Sequence, residues 1–311
     1  MRQWLKIMKE ASYGVVPTSP AAEDVIWIDM EENDPTIDVT PRMYNIRSAL
    51  PSRGVTNRLT GASQYAVGGQ IQTAYYHEQA TFWKTAVFEP TVTSGIPNLP
   101  SYTIHRAYAD NGGVVKAEQF TGCKFTAVTV SGSNAAEAAP VRLALTVQGS
   151  RYIEDVSLTA PACSVFPVEP YLWSGVDLDV GGTSLKSLIR DLSLTITHRG
   201  DPVFHANQYA DRISYFGWEV ALSTNYDMEN HTIRNKFLDI LTSFTAAKYS
   251  TGFVDFIYAV DKKTRFNLYN VLFSAVNPQR PPGGDHMYAA TFAPYYDCSN
   301  LDMTCTVTNP A

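Results

Sequence analysis

The chain of 311 residues has few of the patterns that mark a secreted, metal-binding or membrane protein. Its four cysteines, Cys123, Cys163, Cys298 and Cys305, form no Cys-x-x-Cys pair, which argues against a zinc site and against a disulfide framework. We interpret them as reduced thiols, with a Cys298–Cys305 bridge as the minor alternative. No apolar run approaches the roughly 18 residues of a membrane span. Charges within residues 1–10 argue against a secretory signal.

Signatures of catalysis and of nucleic-acid binding are also missing. The net charge is −6, from 24 basic and 30 acidic residues, which argues against a surface that holds phosphates. The sequence contains no phosphate-binding loop, no dinucleotide-binding glycine motif, and no zinc-protease or hydrolase motif. His198 and His205 are a weak candidate metal pair, and Asp177 and Asp179 fit the solvent face of a strand. We therefore predict no catalytic residue, no metal, no cofactor and no enzyme activity.

The sequence does contain an internal repeat. Two Ala-x-Gln-Tyr-Ala motifs begin at Ala62 and Ala206, which are 144 residues apart. Each is followed by a strand-like run and then by apolar residues at helical spacing. In the first copy these residues are Ala80, Trp83 and Val87, within a predicted helix at about 77–88, and the second stripe comprises Ile233, Phe237, Ile240 and Leu241. Landmarks matched between the copies have offsets between 144 and 150 residues, which indicates a duplication.

Around the two helices, alternating apolar residues predict a sheet protein. In the first half strands are expected at residues 25–28, 64–75, 102–108, 123–130 and 141–147, the last two forming a hairpin. The second half repeats this order, with strands that include residues 192–197, 253–258, 266–271 and 287–292. Long exposed loops are expected at residues 41–61 and 198–205. Each half is long enough to bury a core of its own.

We therefore predict a mainly β fold, a β-sandwich or barrel-like sheet with one flanking α-helix, in tandem duplicate. The predicted organisation is an N-terminal arm (residues 1–24), a first unit (25–150), a second unit (151–295) and a C-terminal arm (296–311). Irregular arms of this kind usually either fray or dock on a neighbour.

Three segments together resemble the tail tube (major tail) proteins of long, non-contractile-tailed bacteriophages. They are residues 10–20 (EASYGVVPTSP), the strand and helix at residues 69–88, and residues 120–125 (FTGCKF) followed by Val128-Thr129-Val130. The resemblance implies a structural virion protein, located in the tail after assembly in the host cytoplasm. Its subunits would form rings that stack into a hollow tube for DNA ejection.

Many members of that family carry one unit and form hexameric rings, whereas this chain has the pattern of two. If six units close a ring, three chains suffice, and the ring is a pseudo-hexamer with threefold symmetry. Six chains per ring is the alternative. Implied partners are further copies of the chain, a tail terminator, and tail tip and tape measure proteins. DNA would pass through the lumen without specific binding.

The long predicted loops are the candidates for contacts between successive rings. Arg47, Arg53, Arg58 and Arg199 lie in them and would meet carboxylates of the next ring, although solvated surface arginines are an equally good interpretation of each. Two other functions stay open at this point. A terminator or baseplate component would form one ring without stacking, and a carbohydrate-binding adhesion sandwich would use exposed aromatic residues.

Overall fold

The structure is a computed structural model. It describes residues 3–30, 36–50, 54–89, 91–93, 96–109, 115–134, 139–156, 158–159, 161–205, 209–227, 249–279, 287–294 and 303–308. Within these ranges it describes only the backbone of residues 41–50, 54–64, 91–93, 96–98, 155, 215–216, 249–250 and 272–274.

Strands make up most of the described chain. The strands of the first half are β1 (Gln3–Lys9), β2 (Val25–Asp29), β3 (Asp38–Leu50), β4 (Gly54–Ala74), β5 (Thr91–Thr93), β6 (Ile96–Asn98), β7 (Tyr102–Ala109), β8 (Val115–Ser133), β9 (Arg142–Gly149) and β10 (Arg151–Val156). Those of the second half are β11 (Val176–Val180), β12 (Thr183–Ser184), β13 (Ile189–Val203), β14 (Arg212–Asp227), β15 (Tyr249–Ala259), β16 (Lys262–Gln279), β17 (Met287–Ala293) and β18 (Met303–Thr308).

One helical segment follows β4. It begins as a 3-10 turn (His77–Gln79), continues as the α-helix α1 (Ala80–Trp83) and ends as a π turn (Lys84–Phe88). Single 3-10 turns occupy Ala22–Asp24, Cys163–Val165 and Trp173–Gly175. The helix predicted at residues 77–88 is confirmed. The second predicted stripe, residues 233–241, lies outside the described residues.

Sixteen strands join one antiparallel sheet. Its main path runs β12-β11-β15-β16-β17-β14-β13-β8-β7-β1-β2, with β3, β4, β9, β10 and β18 pairing off this path, and β5 and β6 form a separate pair. The predicted mainly β, sandwich-like fold is thus confirmed, and within the described residues α1 is the one α-helix. The predicted hairpin is confirmed as β8 and β9, whose register includes Val128 opposite Leu145.

The helical segment packs between the two halves. Its Trp83 ring lies 5.4 Å from the Phe125 ring of β8, and its Phe88 ring lies 4.8 Å from the Phe266 ring of β16. Buried side chains from both halves accordingly form one large hydrophobic cluster. Both halves therefore contribute to one core, because the apolar face of the helix covers strands of both.

Four segments expected to be irregular contain strands. Residues 41–61, predicted as a loop, belong largely to the hairpin of β3 and β4, and the loop predicted at 198–205 is strand as far as Val203. The expected N-terminal arm contains β1, which pairs with β2 on one side and β7 on the other. The expected C-terminal arm contains β18, which pairs with β16. Arginine, proline and glycine in several of these segments had indicated irregular structure, because these residues are typical of loops.

Candidate assembly surfaces

The two halves are joined by a strand pair. Residues 127–133 of β8 pair antiparallel with residues 191–197 of β13, and Ile196 lies opposite Val128. On the more exposed face, the hydroxyl oxygens of Thr129 and Thr195 are 3.1 Å apart and hydrogen-bonded. We call this pair of segments the junction. In the junction, an edge strand of the first half pairs with an edge strand of the second half.

Strands pair in the same order in each half. In the first half β3 pairs with β4, β4 with β9, β9 with β8, and β8 with both β7 and β10. In the second half β13 pairs with β14, β14 with β17, β17 with β16, and β16 with both β15 and β18. Every pair is antiparallel, so each of these five ladders in the first half has a counterpart in the second.

Bulges, where one strand carries an extra residue, align the two halves residue by residue. The extra residue is Thr126 in β8 and Ser274 in β16, 148 positions later. It is Ser63 in β4 and Phe216 in β14, 153 positions later. The second shift makes Trp218 the counterpart of Tyr65. The sequence motifs had matched Tyr65 with Tyr209.

Tyr65 and Tyr209 instead contact each other. Their rings stack with centroids 5.3 Å apart and planes inclined by 25°. Next to Tyr209, the backbone oxygen of Ala210 accepts a hydrogen bond from the Ser150 hydroxyl. The tyrosines of the two Ala-x-Gln-Tyr-Ala motifs therefore form a second contact between the halves, away from the junction.

The carboxylate of Glu10 connects two of the segments on which the family resemblance was based. Only 7% exposed, it accepts hydrogen bonds from the backbone N–H of Gly14 (2.7 Å), the Thr103 hydroxyl (2.8 Å) and the backbone N–H of Gly122 (2.9 Å). Gly122 has φ +63°, and a side-chain Cβ there would lie 2.8 Å from the Cβ of Ser150. Residues 10–20 and 120–125 are thus fastened to each other inside the protein.

Burial controls ionisation around this carboxylate. Burial raises the pKa of Tyr13 to about 12. The ammonium of Lys124 lies 5.6 Å from the centre of the Tyr13 ring, and burial lowers its pKa, an effect that the neighbouring Glu10 charge opposes. A cleft of about 240 Å³ opens beside these groups, between residues 10–13 and 99–101.

The connection between the halves is bonded to the helical segment. The Glu78 carboxylate accepts hydrogen bonds from the backbone N–H groups of Val168 and Glu169 at 2.9 and 3.0 Å. His77 Nδ1 is 2.8 Å from the Tyr171 hydroxyl, which is 2.8 Å from the Thr264 hydroxyl of β16. This chain of polar contacts holds both halves in one orientation.

Of the four predicted arginine contacts, the structure describes the side chain of one. Arg199 is 61% exposed and forms a 2.5 Å ion pair with Glu219 of the adjacent strand β14. The backbone of Arg47 and Arg58 lies in the β3–β4 hairpin, where Arg58 falls at a bulge, and Arg53 lies outside the described residues. Strands, not loops, therefore carry three of these residues.

The remaining candidate side chains have structural surroundings. His198 is buried and donates from Nε2 to the backbone oxygen of Val87 at 2.7 Å, whereas the exposed His205 contacts Asp211 at 2.9 Å. Asp177 accepts a hydrogen bond from Ser184, and Asp179 from the backbone N–H of Gly182. Within the described residues, no three His, Cys, Asp or Glu side chains come together as metal ligands.

Two buried histidines predict a pH-dependent stability. Burial lowers the pKa of His198 and of His105 in the folded protein. The unfolded chain therefore binds more protons as the pH falls through about 6.5, and the free energy of unfolding decreases from there toward the folded-state pKa values. We expect thermal unfolding to show a lower Tm at about pH 5.5 than at about pH 7.5.

The histidine variants separate this effect from other titrations. His198→Gln retains a donor for the Val87 oxygen and is expected to lose part of the decrease in Tm between the two pH values. His205→Gln, at an exposed position, is the matched control and is expected to retain the full decrease. Equal pH dependence in all three proteins would contradict the assignment to His198.

These features define a structural β protein whose two halves share one sheet and one core. A family model described as phage tail tube protein matches residues 4–288, nearly the whole chain and both halves. The chain therefore belongs to the phage tail tube protein family. No curated protein matches it. Across the described ranges, no helix is long and apolar enough to cross a membrane.

Membership fixes the broad function. The family is a structural, non-enzymatic kind of protein that self-assembles into a tube, and the protein is accordingly a component of the virion tail. The resemblance drawn from the sequence is confirmed.

Proposed function

We propose that three copies of this chain close into a ring, and that the rings stack into the hollow tail tube through which DNA is ejected. In this proposal each chain supplies two units, at residues 25–150 and 151–295, so three chains form a pseudo-hexamer. The observation that carries the proposal is the identical pairing order of the strands in the two halves. Within one chain, the junction already joins a first unit to a second.

The outer surfaces have separate roles in the stacked tube. In the hairpin of β3 and β4, eight residue pairs follow the bulge that comes after Arg42. In the hairpin of β13 and β14, four residue pairs follow the bulge that comes after Arg199. A long two-stranded hairpin is only marginally stable alone and gains stability by packing on a neighbour. We assign this hairpin, with Arg47, Arg53 and Arg58, to contacts between rings, and Arg199 to the same role from the second unit.

Charge supports a conducting tube. Each chain carries −6, so three chains place −18 in every ring and repel a DNA phosphate backbone. DNA then passes without specific binding. A tail terminator at one end, and tail tip and tape measure proteins at the other, complete the proposed set of partners.

The mass of the smallest oligomer tests the ring. Light scattering is expected to give three chains of 34.4 kDa, or 103 kDa, and negative-stain electron microscopy of the concentrated protein is expected to show hollow stacks. A 206 kDa ring would retain the tube and overturn the three-chain arrangement. Single rings that never stack would instead indicate a terminator or baseplate component.

A further inference from the structure

Two strand edges of the chain have no partner strand among those the structure describes. One is the side that faces away from β4 at residues 36–40, the start of β3 and the two residues before it. The other is the side of β16 opposite β17, at residues 275–279, beyond the section that pairs with β15. Both edges are counterparts of the strands that meet in the junction, since β3 corresponds to β13 and β16 to β8. The two unpaired edges are therefore equivalent to the two edges that pair with each other in the junction.

The bulges fix how these edges correspond to the junction. Arg42 and Arg199 each precede the bulge of their hairpin, so β13 follows β3 by 157 positions. The bulges of β8 and β16 give a shift of 148 positions. Applied to the junction pair Ile196 and Val128, the two shifts give Val39 opposite Val276. Applied to Thr195 and Thr129, they give Asp38 opposite Asn277.

Burial follows the same alternation in both places. In the junction, Val128 and Ile196 are buried, while Thr129 and Thr195 are half-buried. At the open edges, Val276 is buried and Val39 half-buried, while Asp38 and Asn277 are exposed. The counterparts thus present the same face to the core but are more exposed, as expected of strands that lack their partner.

Backbone groups at the open edges fit the same register. The N–H of Val39 donates to the carboxylate of Asp38 at 2.7 Å, an exposed hydrogen bond that a neighbouring strand can replace. Two positions away, the register places Ile37 opposite Pro278. Proline has no N–H to donate, and the Ile37 oxygen already accepts a hydrogen bond from Arg106 at 2.9 Å. The N–H that Pro278 lacks is therefore not needed, because the Ile37 oxygen opposite it already has a hydrogen bond.

We propose that residues 36–40 of one chain pair antiparallel with residues 275–279 of a second copy, with Asp38 opposite Asn277 and Val39 opposite Val276. This inference rests on the proposed ring, and it names the surface that closes it. An amide opposite a carboxylate replaces the threonine pair of the junction. It supplies a hydrogen bond between chains that two facing Asp38 carboxylates, which have no donor, could not form.

An engineered disulfide tests this register. Val39 directs its N–H away from β4, so Val39 and Val276 would form a hydrogen-bonded pair. Asp38 and Asn277 would then form the adjacent non-hydrogen-bonded pair, in which about 4.5 Å separates the Cα atoms. That spacing suits a disulfide. The double variant Asp38→Cys/Asn277→Cys, in a Cys163→Ser background, is expected to give covalent dimers and trimers after mild oxidation, with the trimer as the largest product on a non-reducing gel.

Two further variants control the chemistry and the register. Thr129→Cys/Thr195→Cys places both thiols in the junction of one chain and is expected to cross-link without forming covalent oligomers. Asp38→Cys/Gln279→Cys places exposed thiols two positions out of register and is expected to yield several-fold less covalent trimer.

The possible outcomes separate the register from the ring. Rings seen by electron microscopy without the Asp38/Asn277 cross-link, or with equal cross-linking of the out-of-register variant, would overturn the register and leave the ring proposal standing. A covalent ladder that extends to six chains would support the register and overturn the three-chain ring. If the unsubstituted chain forms no rings, the proposed function and this inference both fail.

Discussion

Val39→Pro is expected to shift ring formation to a much higher protein concentration while each protomer stays folded. Proline removes the N–H that faces the neighbouring chain, and its ring obstructs an incoming strand. Within the protomer this N–H makes only an exposed hydrogen bond to Asp38, a residue whose extended backbone suits the position before proline. The substitution therefore weakens the contact between chains and has little effect on the stability of the protomer.

The size of this effect follows from the number of contacts. Each contact between chains loses at least one hydrogen bond, worth about 1 kcal/mol. Three such losses amount to about 3 kcal/mol for a ring, which is on the order of a hundredfold in the association constant. Sedimentation velocity over a concentration series measures the shift, and a thermal melt verifies that the protomer is folded.

Val39→Thr is the matched control, because it keeps the N–H and a β-branched side chain. It is expected to form rings at the same concentrations as the unsubstituted chain. Rings of Val39→Pro that persist on dilution as the unsubstituted rings do would contradict the assignment of this edge. A large decrease in Tm would instead show that Val39 has a role inside the protomer.

Glu10→Gln is expected to destabilise the protomer by about 3 kcal/mol, since a hydrogen bond to a charged group contributes about 1.5–3 kcal/mol. The carboxylate accepts from Gly14, Thr103 and Gly122, and an amide has one oxygen with which to accept. Its NH₂ group is then directed at one of these donors, so a hydrogen bond to a largely buried group is lost. The Tm is expected to fall by on the order of 10 °C.

Urea unfolding and limited proteolysis measure this effect. Because Glu10 fastens residues 11–14 to β8, the variant is also expected to be cleaved faster within residues 11–24. Glu23→Gln, at an exposed position of the same segment, is the control and is expected to leave both measurements unchanged. A stability of Glu10→Gln equal to that of the unsubstituted chain would show that the three donors find other acceptors.

Local patterns were sufficient to predict several elements. Alternation along residues 141–147 predicts a strand, and β9 (Arg142–Gly149) has one buried face. Ala80, Trp83 and Val87, spaced for one helical face, are all fully buried. Asp177 and Asp179 alternate with three buried residues of β11 as expected. In each case the neighbours that decide the structure lie within a few residues.

Other elements were not accessible to such patterns. Trp4, Leu5, Ile7 and Met8 of β1 are all buried, so this strand shows no simple alternation, and it forms because β2 and β7 lie on either side. The repeat was found in the sequence, but its motif matched Tyr65 to Tyr209. Bulges in the ladders correct the alignment because they record which residues face each other, whereas similar letters do not.

By itself, therefore, the sequence determined the mainly β fold, the buried face of the first helix and the resemblance to tail tube proteins, because each depends on residues close together in the chain. Only the tertiary structure decided that the halves share one core, that Glu10 binds the backbone of Gly122, and that β8 pairs with β13. The Glu10–Gly122 and β8–β13 contacts join residues at least 58 positions apart. Their register depends on the pairing of whole strands, which no short stretch of sequence specifies.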